Sequence, residues 1–264
     1  MPLKAKQLSF RYGTHPILQD IDFQATPGIT ALIGPNAAGK STLLKCLCGV
    51  LRPEGEVELD GKSIASWTHQ QVTAQISYLP QAFAPQAALT VFETVLLGRL
   101  PHLRWKVAPE DLQIVEQALG ELELSMLAER RLNQLSGGQV QAVAICQALV
   151  RHPKVLLMDE PTSNLDLRRQ FDVIQYIQAS TQRDRIATVV ALHDLNLAAR
   201  FADQVYVLHQ GQLHSHGKPK DVLTPKMIAQ VYGVEARVVE DEGELLINFL
   251  GPTNSHCNRR DTRE

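Results

Sequence analysis

Residues 34–42 read Gly34-Pro35-Asn36-Ala37-Ala38-Gly39-Lys40-Ser41-Thr42 and satisfy the spacing G-x-x-x-x-G-K-[ST] at Gly34, Gly39, Lys40 and Ser41. Small residues let consecutive backbone N–H groups close on phosphate oxygens, and a helix starting at the loop's end points its positive dipole end at the same place. In this pattern the lysine reaches the β- and γ-phosphates, and the hydroxyl after it takes a position on Mg²⁺. The pattern arises by chance in roughly one chain of this length in a hundred. Its flanks lower that further: residues 29–33 are an apolar run and 40–51 are compatible with a helix, which makes strand, loop, helix.

The chain has 264 residues, 44% of them hydrophobic, and a net charge of -2. That is enough for one large core or two modest ones, and it lacks the basic excess that points to nucleic acid. No window approaches the ~20 apolar residues that span a bilayer; the longest runs, 155–158 and 186–192, have the length of buried strands. Lys4 and Lys6 are followed by no apolar segment, so no secretory signal is expected and the compartment reads as the cytoplasm. The cysteines agree with that. Cys46 and Cys48 stand two apart in a helical stretch and do not share a face, while Cys146 and Cys257 are isolated, so all four read as reduced and structural.

Residues 3–10 and 17–25 alternate apolar and polar, which predicts two antiparallel strands joined around 13–16. Tyr12 falls at that turn, either as a packed, half-exposed ring or as a platform on which an adenine stacks. After the loop helix, 56–59 reads as a strand, Asp60-Gly61 as a turn, and 76–79 as a buried strand that leaves Gln81 at the edge of the core. The text then turns helical. Thr90 with Glu93 forms a capping box ahead of 91–99, and Pro109 is placed as the first residue of a helix to Leu122. Leu135-Ser136-Gly137-Gly138-Gln139 opens another helix to Arg151, so a second glycine loop presents N–H groups at a helix start. Residues 82–153 thus read as an inserted helical subdomain.

The apolar run 155–158 ends in Asp159-Glu160-Pro161, as a central parallel strand does when it delivers carboxylates to the C-terminal edge of a sheet. Without the phosphate loop this would be only an acidic turn. With it, Asp159 is a candidate Mg²⁺ partner and Glu160 a candidate to polarise a water for in-line attack. Ser163-Asn164-Leu165-Asp166 is a polar turn, 167–181 an amphipathic helix, and 186–192 a strand ending at His193-Asp194. His193 is either a core or cap residue or a contact to the same γ-phosphate. A hairpin over 205–215, a helix opened by Thr224-Pro225 and stopped at Gly233, and a polar, disordered tail over 253–264 complete the chain.

Taken in order, Tyr12, the loop from Gly34, Gln81, Leu135 to Gln139, the strand ending at Glu160, Ser163 to Asp166 and His193 resemble the ATP-binding subunits of ABC transporters. The Leu-Ser-Gly-Gly-Gln run is the specific signal, because other phosphate-loop enzymes lack it between loop and acidic strand end. The resemblance implies an α/β fold: a phosphate-loop NTPase core on a mostly parallel sheet, with an N-terminal antiparallel β subdomain and an inserted helical subdomain. It makes 1–235 the ATPase domain and 236–264 a C-terminal extension.

It further implies ATP and Mg²⁺ as cofactors. Tyr12, residues Gly34, Pro35, Asn36, Ala37, Ala38, Gly39, Lys40, Ser41 and Thr42, and Ser136, Gly137, Gly138, Gln139 and Asp166 would hold nucleotide. Ser41, Gln81 and Asp159 would serve the metal. Glu160 would be the general base, with Gln81 and His193 sensing the γ-phosphate. The partner set is a second copy of the chain, arranged head to tail so that Ser136 and Gly138 close on the nucleotide at the other's Lys40; transmembrane permease subunits; and an external solute-binding protein. Nucleic acid is not among them, and the place is the cytoplasmic face of the membrane. The runs Leu97-Gly98-Arg99-Leu100-Pro101-His102 and His193-Asp194-Leu195-Asn196 are similar to importers of iron-siderophore, haem and cobalamin complexes. Departures from the family pattern are Ala37, where many relatives carry a third loop glycine, and Val140, Ala142 and Gln147, where relatives usually carry basic residues.

The insert from Ala82 to Gln134 is expected to dock the permease, with apolar anchors among Phe83, Val91, Leu97 and Leu100 and a polar rim from Arg99, His102 and Arg104; the alternative for each apolar residue is that it only fills the subdomain's small core. Three rivals fit less well. A soluble ABC protein usually has two cassettes or a long coiled coil, a non-catalytic module would lose Lys40, Glu160 or His193, and a phosphate-loop kinase would lack the signature loop.

Overall fold

The computed structural model describes residues 2–81, 89–100, 107–163 and 165–253. Strand β1 (Leu3–Tyr12) pairs antiparallel with β2 (His15–Ala25), leaving only Gly13 and Thr14 as the loop, so Tyr12 ends a strand instead of lying in a turn. A bulge interrupts β1 at Gln7, whose φ of 49° places it in the left-handed region and whose N–H donates to Asp22 Oδ1 at 2.9 Å. The bulge shifts the buried set from Leu3 and Ala5 to Leu8, which keeps apolar side chains inward along a twisted inner strand.

Strand β3 (Gly28–Ile33) runs into the phosphate loop and α1 (Lys40–Leu47), whose Leu43, Leu44 and Leu47 are fully buried. Each such leucine contributes about 1.5–3 kcal/mol of burial free energy. Gly49, at a φ of 73°, follows the helix end, so α1 stops four residues short of the 40–51 expected. Then come β4 (Glu54–Leu59), the two-residue β5 (Lys62–Ser63), α2 (His69–Gln75) and β6 (Ile76–Leu79). Helix α2 is held by a Thr68/Gln71 capping box.

The helical subdomain holds α3 (Val91–Leu97), α4 (Pro109–Glu121) and α5 (Gly137–Leu149), with the expected Thr90/Glu93 box and Pro109 as first residue of α4. Gly98 is required by packing: a Cβ there would meet Gln147 O at 2.3 Å. Two of the expected docking residues are employed elsewhere. Val91 is fully buried in the core, and Arg99 donates to Asp111 Oδ1 at 2.9 Å and to Val150 O at 2.7 Å, tying three helix ends together. Leu100 is 55% exposed and Leu97 partly buried, whereas Phe83, His102 and Arg104 lie outside the described residues. Of the departures, Ala142 sits in the core and Gln147 donates to Thr94 O at 2.8 Å, joining α5 to α3.

The chain continues through β7 (Val155–Asp159), α6 (Leu167–Asp184), β8 (Ala187–Ala191), α7 (Leu195–Phe201), the hairpin β9 (Gln204–His209) and β10 (Gln212–Gly217), α8 (Pro219–Val222) and α9 (Pro225–Tyr232). A second hairpin, β11 (Val234–Asp241) and β12 (Glu244–Pro252), turns through Glu242 and Gly243 at φ 48° and 84°. It rests on α7 and α9 and puts Ile247 into the main core, so residues 236–253 are packed onto the ATPase domain. The tail expected to be disordered lies outside the described residues from 254 onward.

The central sheet has the order β10-β9-β3-β8-β7-β6, parallel except for β10, and a separate antiparallel sheet has the order β2-β1-β4-β5. Alternate residues of one strand feed two cores. Leu156 and Met158 of β7 face the helical subdomain and the C-terminal helices, while Val155 and Leu157 face α1 and the antiparallel sheet. This explains why every residue of β7 and β8 is buried: both faces are covered.

Candidate functional site

Four neighbouring parallel strands end on one edge, and each delivers a piece of the site: β3 the phosphate loop, β8 His193, β7 Asp159 and Glu160, and β6 Gln81. The loop's geometry is fixed by contacts. Gly34 has a φ of 152° and an added Cβ would lie 2.1 Å from Leu208 O, and Gly39, at φ 105°, would meet Leu18 Cδ2 at 2.8 Å. Ala37 has a φ of 62°, so this alanine occupies the left-handed conformation at a cost of about 1 kcal/mol relative to glycine.

Lys40 is 6% exposed and donates to Gly34 O at 2.8 Å and Pro35 O at 3.1 Å, which bends the ammonium back over the loop. Burial lowers its pKa, opposed by the negative charges of Glu160 and Asp159. Asp159 is 3% exposed; burial raises its pKa, the Ser41 hydroxyl works the other way, and the adjacent Glu160 raises it further. Its Oδ1 is buried with no hydrogen-bond partner among the described residues. A buried, unpartnered carboxylate oxygen beside a serine hydroxyl is what a hard divalent cation with oxygen ligands requires.

Glu160 has a φ of 50°, and its N–H donates to Ala191 O at 3.1 Å, locking the turn after β7 to the neighbouring strand. Its Oε2 accepts from Gln81 Nε2 at 2.8 Å, so residues 79 apart in sequence meet at the ends of β6 and β7. Ser163 donates from its hydroxyl to Glu160 O at 3.1 Å, and Asp166 caps α6 by accepting from Arg169 N–H at 2.9 Å. Asn164 lies outside the described residues. His193 is exposed, directly before Asp194, which caps α7.

Tyr12 is 49% exposed at the far end of β1, its ring edge-on to Phe10 with 4.9 Å between centroids. Ser136 caps α5: its Oγ accepts from Gln139 N–H at 3.3 Å while Gln139 Oε1 accepts from Ser136 N–H at 3.0 Å. Ser136 and Gly137 are exposed. The buried thiols take no part: burial pushes Cys46 up to about 12 and Cys48 up to about 11. Asn196 bonds the C-terminal hairpin through Ile247, a partner 51 positions away that no local pattern around Asn196 marks.

A glycine loop on the edge of a parallel sheet, with a buried lysine, a buried aspartate and a hydrogen-bonded glutamate beside it, defines a phosphate-loop nucleoside triphosphatase. The ABC transporter family model matches residues 18–163. The chain is 38% identical over 240 residues to the hemin import ATP-binding protein HmuV of Thermobifida fusca, covering 90% of this chain and 84% of that one. It is 37% identical over 243 residues to the iron(3+)-hydroxamate import ATP-binding protein FhuC of Bacillus subtilis, covering 90% of each. Among solved structures, an ABC transporter described as of metal-chelate type, in an inward-facing conformation, superposes with a TM-score of 0.79 at 28% identity, over 96% of this chain and 98% of that one. A dimeric ATP-binding cassette in a post-hydrolysis state with ADP and Pi gives a TM-score of 0.75 at 28% identity, over 82% and 98%. The chain belongs to the ABC transporter family, as an ATP-binding and ATP-hydrolysing subunit. Among the described residues no helix is long and apolar enough to cross a membrane.

Proposed function

We propose that two copies of this chain sandwich ATP and power an importer of metal chelates of the iron-siderophore, haem or cobalamin type. They sit peripherally on the cytoplasmic face against transmembrane permease subunits, which receive solute from an external binding protein. The names of the hemin and hydroxamate import relatives and the metal-chelate transporter structure support the solute class.

The observation that carries the chemistry is the Gln81–Glu160 hydrogen bond at 2.8 Å, beside the buried Lys40 and Asp159. It orients Glu160 from a neighbouring strand end, as a base must be oriented to take a proton from water in line with a γ-phosphate. Lys40 holds phosphate charge. Asp159 and Ser41 would hold Mg²⁺, which would supply charge neutralisation at the phosphates. His193, delivered by the strand between loop and base, contacts the γ-phosphate, and Tyr12 offers its exposed ring to the adenine. Ser136 and Gly138 of the other copy close the site, and Asp166 lies at that contact.

Glu160→Gln tests the assignment. It keeps shape and the bond to Gln81 but not basicity, so ATP binding should persist while turnover falls roughly 100- to 10,000-fold. The variant should accumulate as an ATP-bound dimer in gel filtration; parental turnover would remove Glu160 from the role. Uptake by permease-containing vesicles, compared for a ferric hydroxamate, haem and cobalamin, tests the solute class.

A further inference from the structure

Only His193 of the run His193-Asp194-Leu195-Asn196 enters the chemistry above, yet the structure ties the last residue to a distant segment. Asn196 lies in the first turn of α7, and its carboxamide bonds both polar backbone groups of one residue of β12. Its Nδ2 donates to Ile247 O at 3.2 Å, and its Oδ1 accepts from Ile247 N–H at 2.8 Å. That is the bonding a neighbouring strand would supply, so one side chain closes part of the edge of the C-terminal hairpin. The backbone N–H of Asn196 donates in turn to Asp194 Oδ1 at 2.8 Å, and Leu197 N–H to the same oxygen at 3.1 Å. A continuous set of bonds therefore runs from β12 through Asn196 to the cap residue next to His193.

The anchor at the far end is firm. Ile247 is 5% exposed and belongs to the main core, and it faces Val238 in the hairpin's register. Tyr232, the last residue of α9 and just ahead of that hairpin, packs against the same core with its hydroxyl buried.

We propose that Asn196 is a positioning residue for ATP hydrolysis: by clamping the start of α7 to β12, it lets the C-terminal hairpin set where His193 stands at the sheet edge. This rests on the reading of His193 as the γ-phosphate contact. A side chain at an exposed strand end has its position set by whatever holds the next turn, and a misplacement of about 1 Å costs up to about 100-fold in rate.

The test uses the full-length chain and compares Asn196→Ala, Asn196→Asp and His193→Gln. Asn196→Ala should lower kcat for ATP about 5- to 50-fold while KM for ATP stays within about twofold, because the phosphate loop and Tyr12 are untouched. Asn196→Asp keeps the bond from Ile247 N–H and loses the one to Ile247 O, so it should fall between. In labelled protein with ADP bound, the imidazole resonance of His193, assigned by its loss in His193→Gln, should shift in Asn196→Ala. Parental kcat in Asn196→Ala, or a lowered kcat with an unmoved His193 resonance, overturns the positioning role while leaving His193 intact. Parental turnover in His193→Gln overturns the reading of His193 and this proposal together.

Discussion

The two glycine-bearing helix starts, one ahead of α1 and one ahead of α5, look alike in sequence and differ in what makes glycine necessary. At the first, the chain's own atoms demand it: a Cβ on Gly34 would overlap Leu208 O at 2.1 Å, and Gly39 is walled in by Leu18 and Leu208. At the second, a Cβ on Gly137 meets nothing within 4 Å among the described residues, and Ser136 and Gly137 are exposed. The first loop is a site built by its own fold. The second satisfies its local hydrogen bonds through the Ser136/Gln139 box, and at Gly137 the described residues supply no steric reason for glycine. The dimeric cassette structure it resembles is consistent with such a reason coming from another copy.

Gly34→Ala should have the largest effect on stability of the substitutions that separate these two loops. The new methyl meets a backbone oxygen of β9, which cannot rotate aside, and the residue would be held at a φ of 152°. A loss of roughly 2–4 kcal/mol, with nucleotide binding lost as well, is the expected outcome. Urea unfolding and nucleotide titration check it; a parental midpoint would show that the strand ends yield more easily than their contacts indicate.

Asp159 gives the second test, because a built site stores electrostatic tension that an open one does not. Its folded pKa lies above the ordinary 3.8, chiefly through burial, so the folded chain binds more protons than the unfolded chain between those two values. Stability is therefore lost as pH rises through that window, and the penalty is fully present above it. Asp159→Asn should be the more stable protein at neutral pH without metal, and the gap should close as pH falls toward 3.8. Unfolding midpoints across that range, with a chelator present, measure it. A gap that stays constant with pH would mean the carboxylate carries no penalty, and the case for its unpartnered oxygen as a cation ligand would weaken.

How much of this was legible in the sequence follows from which constraints are local. The phosphate loop, the Thr90/Glu93 box, the strand over 76–79 and the Thr224 and Gly233 caps were all readable, because each is specified within a few residues. The Gln81–Glu160 bond was only half readable: each residue stood out at a strand end, but their meeting depends on β6 lying beside β7. Val91 was open between a surface anchor and a core residue and proves to be core, since an amphipathic pattern shows that a face is apolar without showing what covers it. Arg99 looked like a rim charge and proved to be a staple, because its partners come from two later helices. The β11–β12 hairpin is weakly marked although Val234, Ala236 and Val238 alternate, because its strands are mostly exposed and little apolar patterning continues through the charged turn at 240–244.

Gly137→Ala is the smallest perturbation of the isolated chain and the sharpest test of what the second loop faces. Gly137 is the first residue of α5, exposed, and has no atom within 4 Å of an added Cβ among the described residues. Alanine favours a helix over glycine, so stability should change by no more than about 0.5 kcal/mol and in the favourable direction. If the loop closes on a phosphate held by another copy, the same methyl stands between two surfaces that must meet through backbone N–H groups. Turnover should then fall roughly 10- to 100-fold, because an error of about 1 Å at a phosphate contact is costly, while ATP binding to the single chain is unchanged. Steady-state turnover against protein concentration, with sedimentation of the ATP-bound form, separates the cases: the variant should need a higher concentration to dimerise. A variant as stable and as active as the parent would show that the small residue answers to nothing outside the chain, and the contrast between the two loops would reduce to helix capping.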